Sequence, residues 1–451
     1  MTKRTVHLAA HFPGVNNTTI WNDGRAGSQI DFASFRHFAK TAERGRFDYL
    51  FLAEGLRLRE HKGRIHDLDV VGRPNTLAIL GAIASITEHI GLIGTLSSTF
   101  NEPYELARQL ATLDHVSGGR AGWNIVTSSD AFHGANFRRG GFLDRADRYT
   151  RAEEFLEVAQ KLWRSWAEDA VLANRATGEF LAEGGIDEVD HHGPHFDVTG
   201  FGTVPRSPQV QPVIVQAGDS ADGRDFASRS AEVIFSAHSD FDKAKAFFAD
   251  VKGRLGAVGR EPDSLKILPG ATFILGDTPS DAAERSREVA LLQVSPQTAI
   301  SFLEQVWGTD LTAYDPDGPL PAIDPVLDSA IARGRAQVIA DPIAVANAWR
   351  EKAAAGGLSI RELVITIAAK HTFVGTPSFV ASEIDRYVQE EASDGFVIVG
   401  DSNPTGLDEF VDSVIPELQE RGVFRTDYTP GATLRENLGL PTLERDFATL
   451  S

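Results

Sequence analysis

The chain has 451 residues, with 63 acidic against 44 basic side chains, a formal net charge of −19, 41 glycines, 21 prolines and no cysteine. That length buries a large core without covalent staples, and the missing cysteine excludes disulfides, thiolate metal sites and a cysteine nucleophile. The acidic balance argues against broad binding to nucleic acid or anionic membranes, which needs clustered Lys and Arg, yet leaves room for a local pocket around one phosphate.

Short apolar runs rich in β-branched residues alternate with longer amphipathic stretches, the pattern of βα units around a parallel sheet. Residues 6–12 read as a first strand and 32–44 as a helix, with Asp31 before it and Gly45 after it. Strands follow at 49–53, 90–96 and 121–126, separated by helices at 75–87 and 103–115. A long helix over 150–166 precedes an irregular or hairpin-like stretch, 167–211. The rhythm resumes with strands at 212–216, 231–236 and 265–275, the last interrupted by Pro269-Gly270, and a helix at 281–292. Residues 295–375 break it again; then come a helix at 377–391, a strand at 396–399 and a helix at 407–421. Eight such units predict an α/β fold, a (β/α)8 TIM barrel, as one domain over 1–451 with insertions after strand four (about 128–211) and strand seven (about 295–375). No run of about 18 apolar residues occurs, so no transmembrane helix is expected. The residues Met1 to His7 hold no apolar stretch of signal-peptide length, so a cytoplasmic protein is expected.

In such a barrel the active site lies at the C-terminal ends of the strands. Those ends bring together His11, Phe12, Asn16, Asn17, Thr18 and Trp21; Glu54; Ser97, Ser98, Thr99 and Phe100; Asn124, Thr127, Ser128 and Ser129; Gln216, Gly218, Asp219 and Ser220; His238; and Asp401. Hydroxyls, amides and aromatics dominate, a set suited to a large polar cofactor rather than to a proton relay. The run Gln216-Ala217-Gly218-Asp219-Ser220 leaves a strand and opens a helix, so its small residues let backbone N–H groups approach an anion. It is neither a Walker loop nor a GxGxxG dinucleotide turn. Two histidine-rich stretches, 190–197 and 61–69, lack the spacing of a metal site and read as solvated loop histidines, so no metal is expected. His11 is the histidine placed to act in the pocket or to pack beneath a cofactor.

These motifs carry a resemblance. The runs Glu43-Arg44-Gly45-Arg46-Phe47-Asp48, Phe51-Leu52-Ala53-Glu54, Ala111-Thr112-Leu113-Asp114-His115-Val116-Ser117-Gly118-Gly119-Arg120 and Trp123-Asn124-Ile125-Val126-Thr127-Ser128 are among them. So are Arg148-Tyr149, Gln216-Ala217-Gly218, Asp394-Gly395-Phe396 and Leu434-Arg435-Glu436. Nearly end to end, the chain resembles the bacterial-luciferase superfamily of flavin-dependent monooxygenases, in the group that holds nitrilotriacetate monooxygenase, pristinamycin synthase and dibenzothiophene-sulfone monooxygenase. The resemblance implies an oxidoreductase of a two-component system. Reduced FMN (FMNH2) would come from a separate NAD(P)H-dependent flavin reductase and react with O2 to a peroxyflavin that oxygenates or cleaves a small organic substrate. It places Thr99 and Asn124 beside the isoalloxazine, Ala53 and Glu54 against the ring, and Tyr149 with the backbone of Gly218, Asp219 and Ser220 around the phosphate. Asn124, Thr99 and His11 are the residues expected to serve catalysis. A homo-oligomer, dimer or tetramer, is implied as well.

Two departures stand out: Glu54 occupies a position where the family usually carries Asp, and Arg145-Ala146-Asp147-Arg148-Tyr149 stands where a His-Asp-Glu-Arg-Tyr run is usual. Competing readings are a deazaflavin-dependent oxidoreductase on the same fold and a catalytically silent flavin-binding protein. Asn16, Asn17, Thr18 and Trp21 favour a neutral or aromatic substrate, and Arg138-Arg139-Gly140-Gly141 is expected to be a loop over the site.

Overall fold

The computed structural model describes residues 3–14, 19–67, 71–128, 131–137, 147–327, 329, 331–333, 339 and 341–443. Eight strands, β1 (His7–His11), β2 (Tyr49–Leu52), β3 (Gly91–Ser97), β4 (Ala121–Val126), β5 (Val213–Gln216), β6 (Val233–Ser236), β7 (Lys266–Leu275) and β8 (Gly395–Val399), form the barrel. Each pairs in parallel with the next. β8 pairs with β1 to close the eight strands into a (β/α)8 barrel, and a short ninth strand, Phe373–Gly375, pairs with the C-terminal end of β7 beside the ring.

Strand alternation sorts the side chains. Ala9, Tyr49, Phe51, Ile93, Val213, Val215, Val233, Leu268 and Val397 share the inner core, whereas Leu8, Leu50, Leu92, Phe396 and Ile398 pack outward under the helices. Trp123 points out against Phe155 and Trp163, which sends its neighbour Asn124 inward. β8 can lie this close to β1 because its first residue is glycine: a Cβ on Gly395 would fall onto the His7 carbonyl.

The floor of the barrel is a plug from the end of the chain. Leu434, Leu438 and Leu440 enter the inner core, and Leu434 donates its N–H to Gly119 O (2.9 Å). Arg435 forms a buried pair with Glu232, with Nη2 to Oε2 at 3.0 Å, and Glu232 also accepts Ile214 N–H. Asp48, fully buried, accepts Leu8 N–H (2.8 Å) and pairs with His7 and Arg425. Arg120 donates to the carbonyls of Ser117, Ile90 and Thr87.

The structure departs from the expectations of the sequence at several features. β7 runs unbroken through Pro269-Gly270: Pro269 lies opposite Ser236, the last residue of β6, so its missing N–H falls where that ladder ends. The helix Phe241–Ala257 is absent from the sequence reading, although Phe247, Phe248, Val251 and Leu255 recur at helical spacing. The histidines of 190–197 are not simply solvated: Val189–His192 and Asp197–Gly200 form a hairpin whose alternation buries His191 against Glu154 (3.1 Å) and leaves His192 exposed.

Between β7 and β8 the helices Pro279–Gln293, Pro296–Trp307, Pro342–Gly356 and Ile360–Ala368 include a core of their own around Leu303, Trp307, Ile360 and Val364. Glu304 of that layer, nearly fully buried, receives His61 and Lys62 from the loop after β2, and His66 is buried too, so the histidines of this stretch are not solvated either. No helix of the described residues is long and apolar enough to cross a membrane.

Candidate active site

The inner face of the barrel at its C-terminal end has two textures. One side is aromatic: the His11 ring packs on Phe51 (centroids 5.4 Å apart), and Phe51 packs on Phe235 (5.6 Å). The other is polar. Asn124 Nδ2 donates to Thr95 Oγ1 (3.0 Å), its register partner on β3, and Thr99 N–H donates to Ser97 Oγ (3.2 Å). Asn124 and Thr99 are each 3% exposed. A flat aromatic surface beside a polar rim suits a planar ring with hydrogen-bonding edges.

Two buried atoms here lack a partner among the described residues: Asn124 Oδ1 and His11 Nδ1. Each forgoes a hydrogen bond worth about 1 kcal/mol; Asn124 Oδ1 is an acceptor ready for a donor from a bound molecule, and His11 Nδ1 donates or accepts according to the ring's tautomer. Burial first, and the charge of Arg73 second, push the His11 pKa down to about 3. The ring is therefore neutral at physiological pH and can orient a donor but brings no charge.

Glu54 follows β2. Its Oε2 accepts Ser97 N–H (3.1 Å), and its backbone carbonyl accepts Arg73 Nη1 (3.3 Å). Burial raises its carboxyl to about 7, against the pull of the Ser97 hydrogen bond. The native value lies above the ordinary one, so the stability it contributes is complete below about pH 4.5 and is lost as pH rises through 7. Glu54→Gln in the apoprotein is expected to gain roughly 2 kcal/mol on wild type between pH 5 and pH 8. Urea midpoints of both proteins at both pH values check this; an unchanged difference contradicts it.

The turn after β5 supplies the second half of the site. Gln216 spans from β5 to β4, its Nε2 reaching Ile125 O (3.4 Å) while its Oε1 takes Gly218 N–H. Gly218 and Gly223 face each other: a Cβ on Gly218 would lie 3.0 Å from Gly223 Cα, and a Cβ on Gly223 would lie 3.0 Å from both Gly218 Cα and Tyr149 Oη. Tyr149 Oη is 3.3 Å from Ser220 Oγ. Ser220 caps the helix Ala221–Ser230 by accepting Gly223 N–H (3.2 Å). Main-chain donors, a phenol and a hydroxyl thus converge where the helix N-terminus favours an anion. A cradle that any Cβ would fill, and an unmatched acceptor on the neighbouring strand, fit a phosphate-bearing flat cofactor such as FMN.

Of the sequence candidates, His11, Ala53, Glu54, Thr99, Asn124, Tyr149, Gly218, Asp219 and Ser220 all sit at the C-terminal end of the barrel. Asn16, Asn17, Thr18, Ser129, Arg138 to Gly141 and Arg145 lie outside the described residues. Trp21 is 61% exposed, and Asp401 uses its backbone to hold Ile20 N–H. The Asp219 carboxylate does not face the cradle but is taken by His238 and Arg224. Sequence reasoning missed Thr95, which strand alternation from Ile93 would have placed inward, and Arg73, for which no periodic signal exists.

The closed parallel barrel, with its polar and aromatic site residues gathered at the C-terminal ends of the strands, has the architecture of the TIM-barrel enzymes. The sequence signature of the family described as luciferase-like monooxygenase matches residues 16–393. The chain is 39% identical over 445 residues to N-acetyl-S-(2-succino)cysteine monooxygenase of Bacillus subtilis (strain 168), covering 97% of each. It is 40% identical over 422 residues to nitrilotriacetate monooxygenase component A of Aminobacter aminovorans, covering 91% of this chain and 90% of that one. A crystal structure of riboflavin lyase with modified FMN and substrate riboflavin superposes with a TM-score of 0.79 at 28% identity over 97% of both chains. The chain belongs to the luciferase-like monooxygenase family. It is a flavin-dependent monooxygenase.

Proposed function

We propose that this chain is the oxygenating component of a two-component system: it binds reduced FMN delivered by a separate NAD(P)H-dependent flavin reductase and uses O2 to oxygenate or cleave a small organic substrate. The observation that carries the reading is the joining, through Gln216, of the Gly218–Gly223 cradle to the strand that bears the unmatched Asn124 Oδ1. Reduced FMN supplies the electrons with which O2 is activated. Tyr149 and the N–H groups of Asp219 and Ser220 would hold the phosphate. Asn124, Thr99 and neutral His11 would offer hydrogen bonds without a strong acid, which orients the ring edge and the reacting oxygen without transferring a proton to that oxygen. Phe51 and Phe235 exclude water beneath the ring. Glu54 and Ala53 close the mouth from β2.

The related proteins are named for anionic and for sulfone substrates alike, so the substrate rests on the pocket's own lining, which on the described inner face is neutral-polar and aromatic apart from Glu54 and Arg73. A chain without Cys suits the cytoplasm. We take it to fold as one barrel domain with two insertions and to work as a homo-oligomer.

Anaerobic titration tests the reading. Reduced FMN is expected to bind at least tenfold more tightly than oxidised FMN or a reduced deazaflavin; preference for the deazaflavin would replace it with hydride transfer.

A further inference from the structure

Asp219 precedes the cap of the helix Ala221–Ser230, and its side chain and carbonyl are both held from behind. Arg224 Nε donates to Asp219 O (3.0 Å) while Arg224 Nη2 donates to Asp219 Oδ1 (3.0 Å). His238, at the end of β6, brings Nε2 to the same Oδ1 (2.9 Å). Arg224 is fixed in turn: Nη1 donates to Asp250 Oδ2 (2.9 Å), and the guanidinium lies over the Phe247 ring at 4.8 Å. The His238 ring packs on Phe247 too, at 4.7 Å. Asp250 and Phe247 both belong to the helix Phe241–Ala257, so the next βα unit is the platform on which the turn is set.

A trans peptide carries its C=O and the following N–H on opposite sides. Holding the Asp219 carbonyl toward Arg224 therefore turns the Ser220 N–H the other way. The same clamp neutralises a carboxylate that would repel a phosphate: hydrogen bonds from His238 and Arg224 overcome burial and hold the Asp219 carboxyl below its usual range.

We propose that Arg224 and His238 are positioning residues that lock the turn 218–220 in its anion-receiving form, so that they govern how far FMN is preferred to the same flavin without its phosphate. This rests on the flavin reading above. The lock acts through a main-chain carbonyl, so charge alone does not restore it: lysine at 224 cannot reach Asp219 O, Asp219 Oδ1 and Asp250 Oδ2 together.

The test is anaerobic titration of the full chain with reduced FMN and with reduced riboflavin, for wild type, Arg224→Lys, Arg224→Ala and His238→Phe. The readout is the ratio of the riboflavin to the FMN dissociation constant. Both Arg224 variants are expected to lower that ratio about tenfold while riboflavin affinity changes less than twofold, and His238→Phe to lower it less. A fall of less than threefold in both Arg224 variants, or equal weakening of both flavins, overturns the proposal. Thermal melts identify a variant that has merely unfolded, in which case the ratio from Arg224→Lys decides. Failure of wild type to bind either reduced flavin would instead overturn the flavin reading itself.

Discussion

Gly218→Ala is expected to weaken the binding of reduced FMN about a hundredfold, the loss of two charge-assisted hydrogen bonds at roughly 1.5 kcal/mol each. The new Cβ would lie 2.9 Å from Gln216 Oε1 and 3.0 Å from Gly223 Cα. Neither neighbour can yield cheaply: Gly223 sits in the first turn of a capped helix, and Gln216 is buried between β5 and β4. The turn must swing outward and carry the N–H groups at 219 and 220 away from the anion. Affinity for reduced riboflavin, which lacks the phosphate, should change by less than a factor of about five. Fluorescence titration under anaerobic conditions measures both, and equal loss for the two flavins would place the defect in the ring pocket instead.

Arg435→Ala is expected to destabilise the protein by about 3–5 kcal/mol, because it leaves the buried Glu232 in the barrel floor without its ion partner. Both residues are largely buried, and Glu232 stays fixed because it also accepts Ile214 N–H at 2.9 Å. The effect belongs to the floor, at the opposite end from the flavin pocket. Urea denaturation should show a lower midpoint with an unchanged slope, while the folded variant binds reduced FMN within twofold of wild type. Weakened binding with undiminished stability would contradict this division of the barrel into a structural and a functional end.

That division explains what could be read from the sequence. Of the eight runs quoted for the family resemblance, four build the floor rather than the pocket. Asp48 fixes β1, Arg120 ties helix ends to β3, Gly395 permits the closure of β8 on β1, and Leu434 and Arg435 plug the ring. Their roles need buried charge and close backbone approach, which tolerate few residue types. The pocket was legible where alternation or strand ends located it, as for Asn124, Thr99, His11 and Glu54. The turn 216–220 was legible as small residues between a strand and a helix. What was not legible arises across elements. Arg224, His238 and Asp250 meet only because the βα units stack beside one another, and Arg73 reaches Glu54 from a loop without period. Pro269 reads as a break because a missing N–H usually ends a strand, and only the short β6 beside it makes the residue harmless.

The most direct measurement is the anaerobic titration of the wild-type protein with reduced FMN, oxidised FMN and a reduced deazaflavin, followed by mixing the tightest complex with oxygenated buffer. The account predicts selective binding of reduced FMN and, on oxygen, a transient whose spectrum matches neither reduced nor oxidised FMN. Direct conversion to oxidised FMN as fast as in free solution, or no preference for the reduced form, would contradict it.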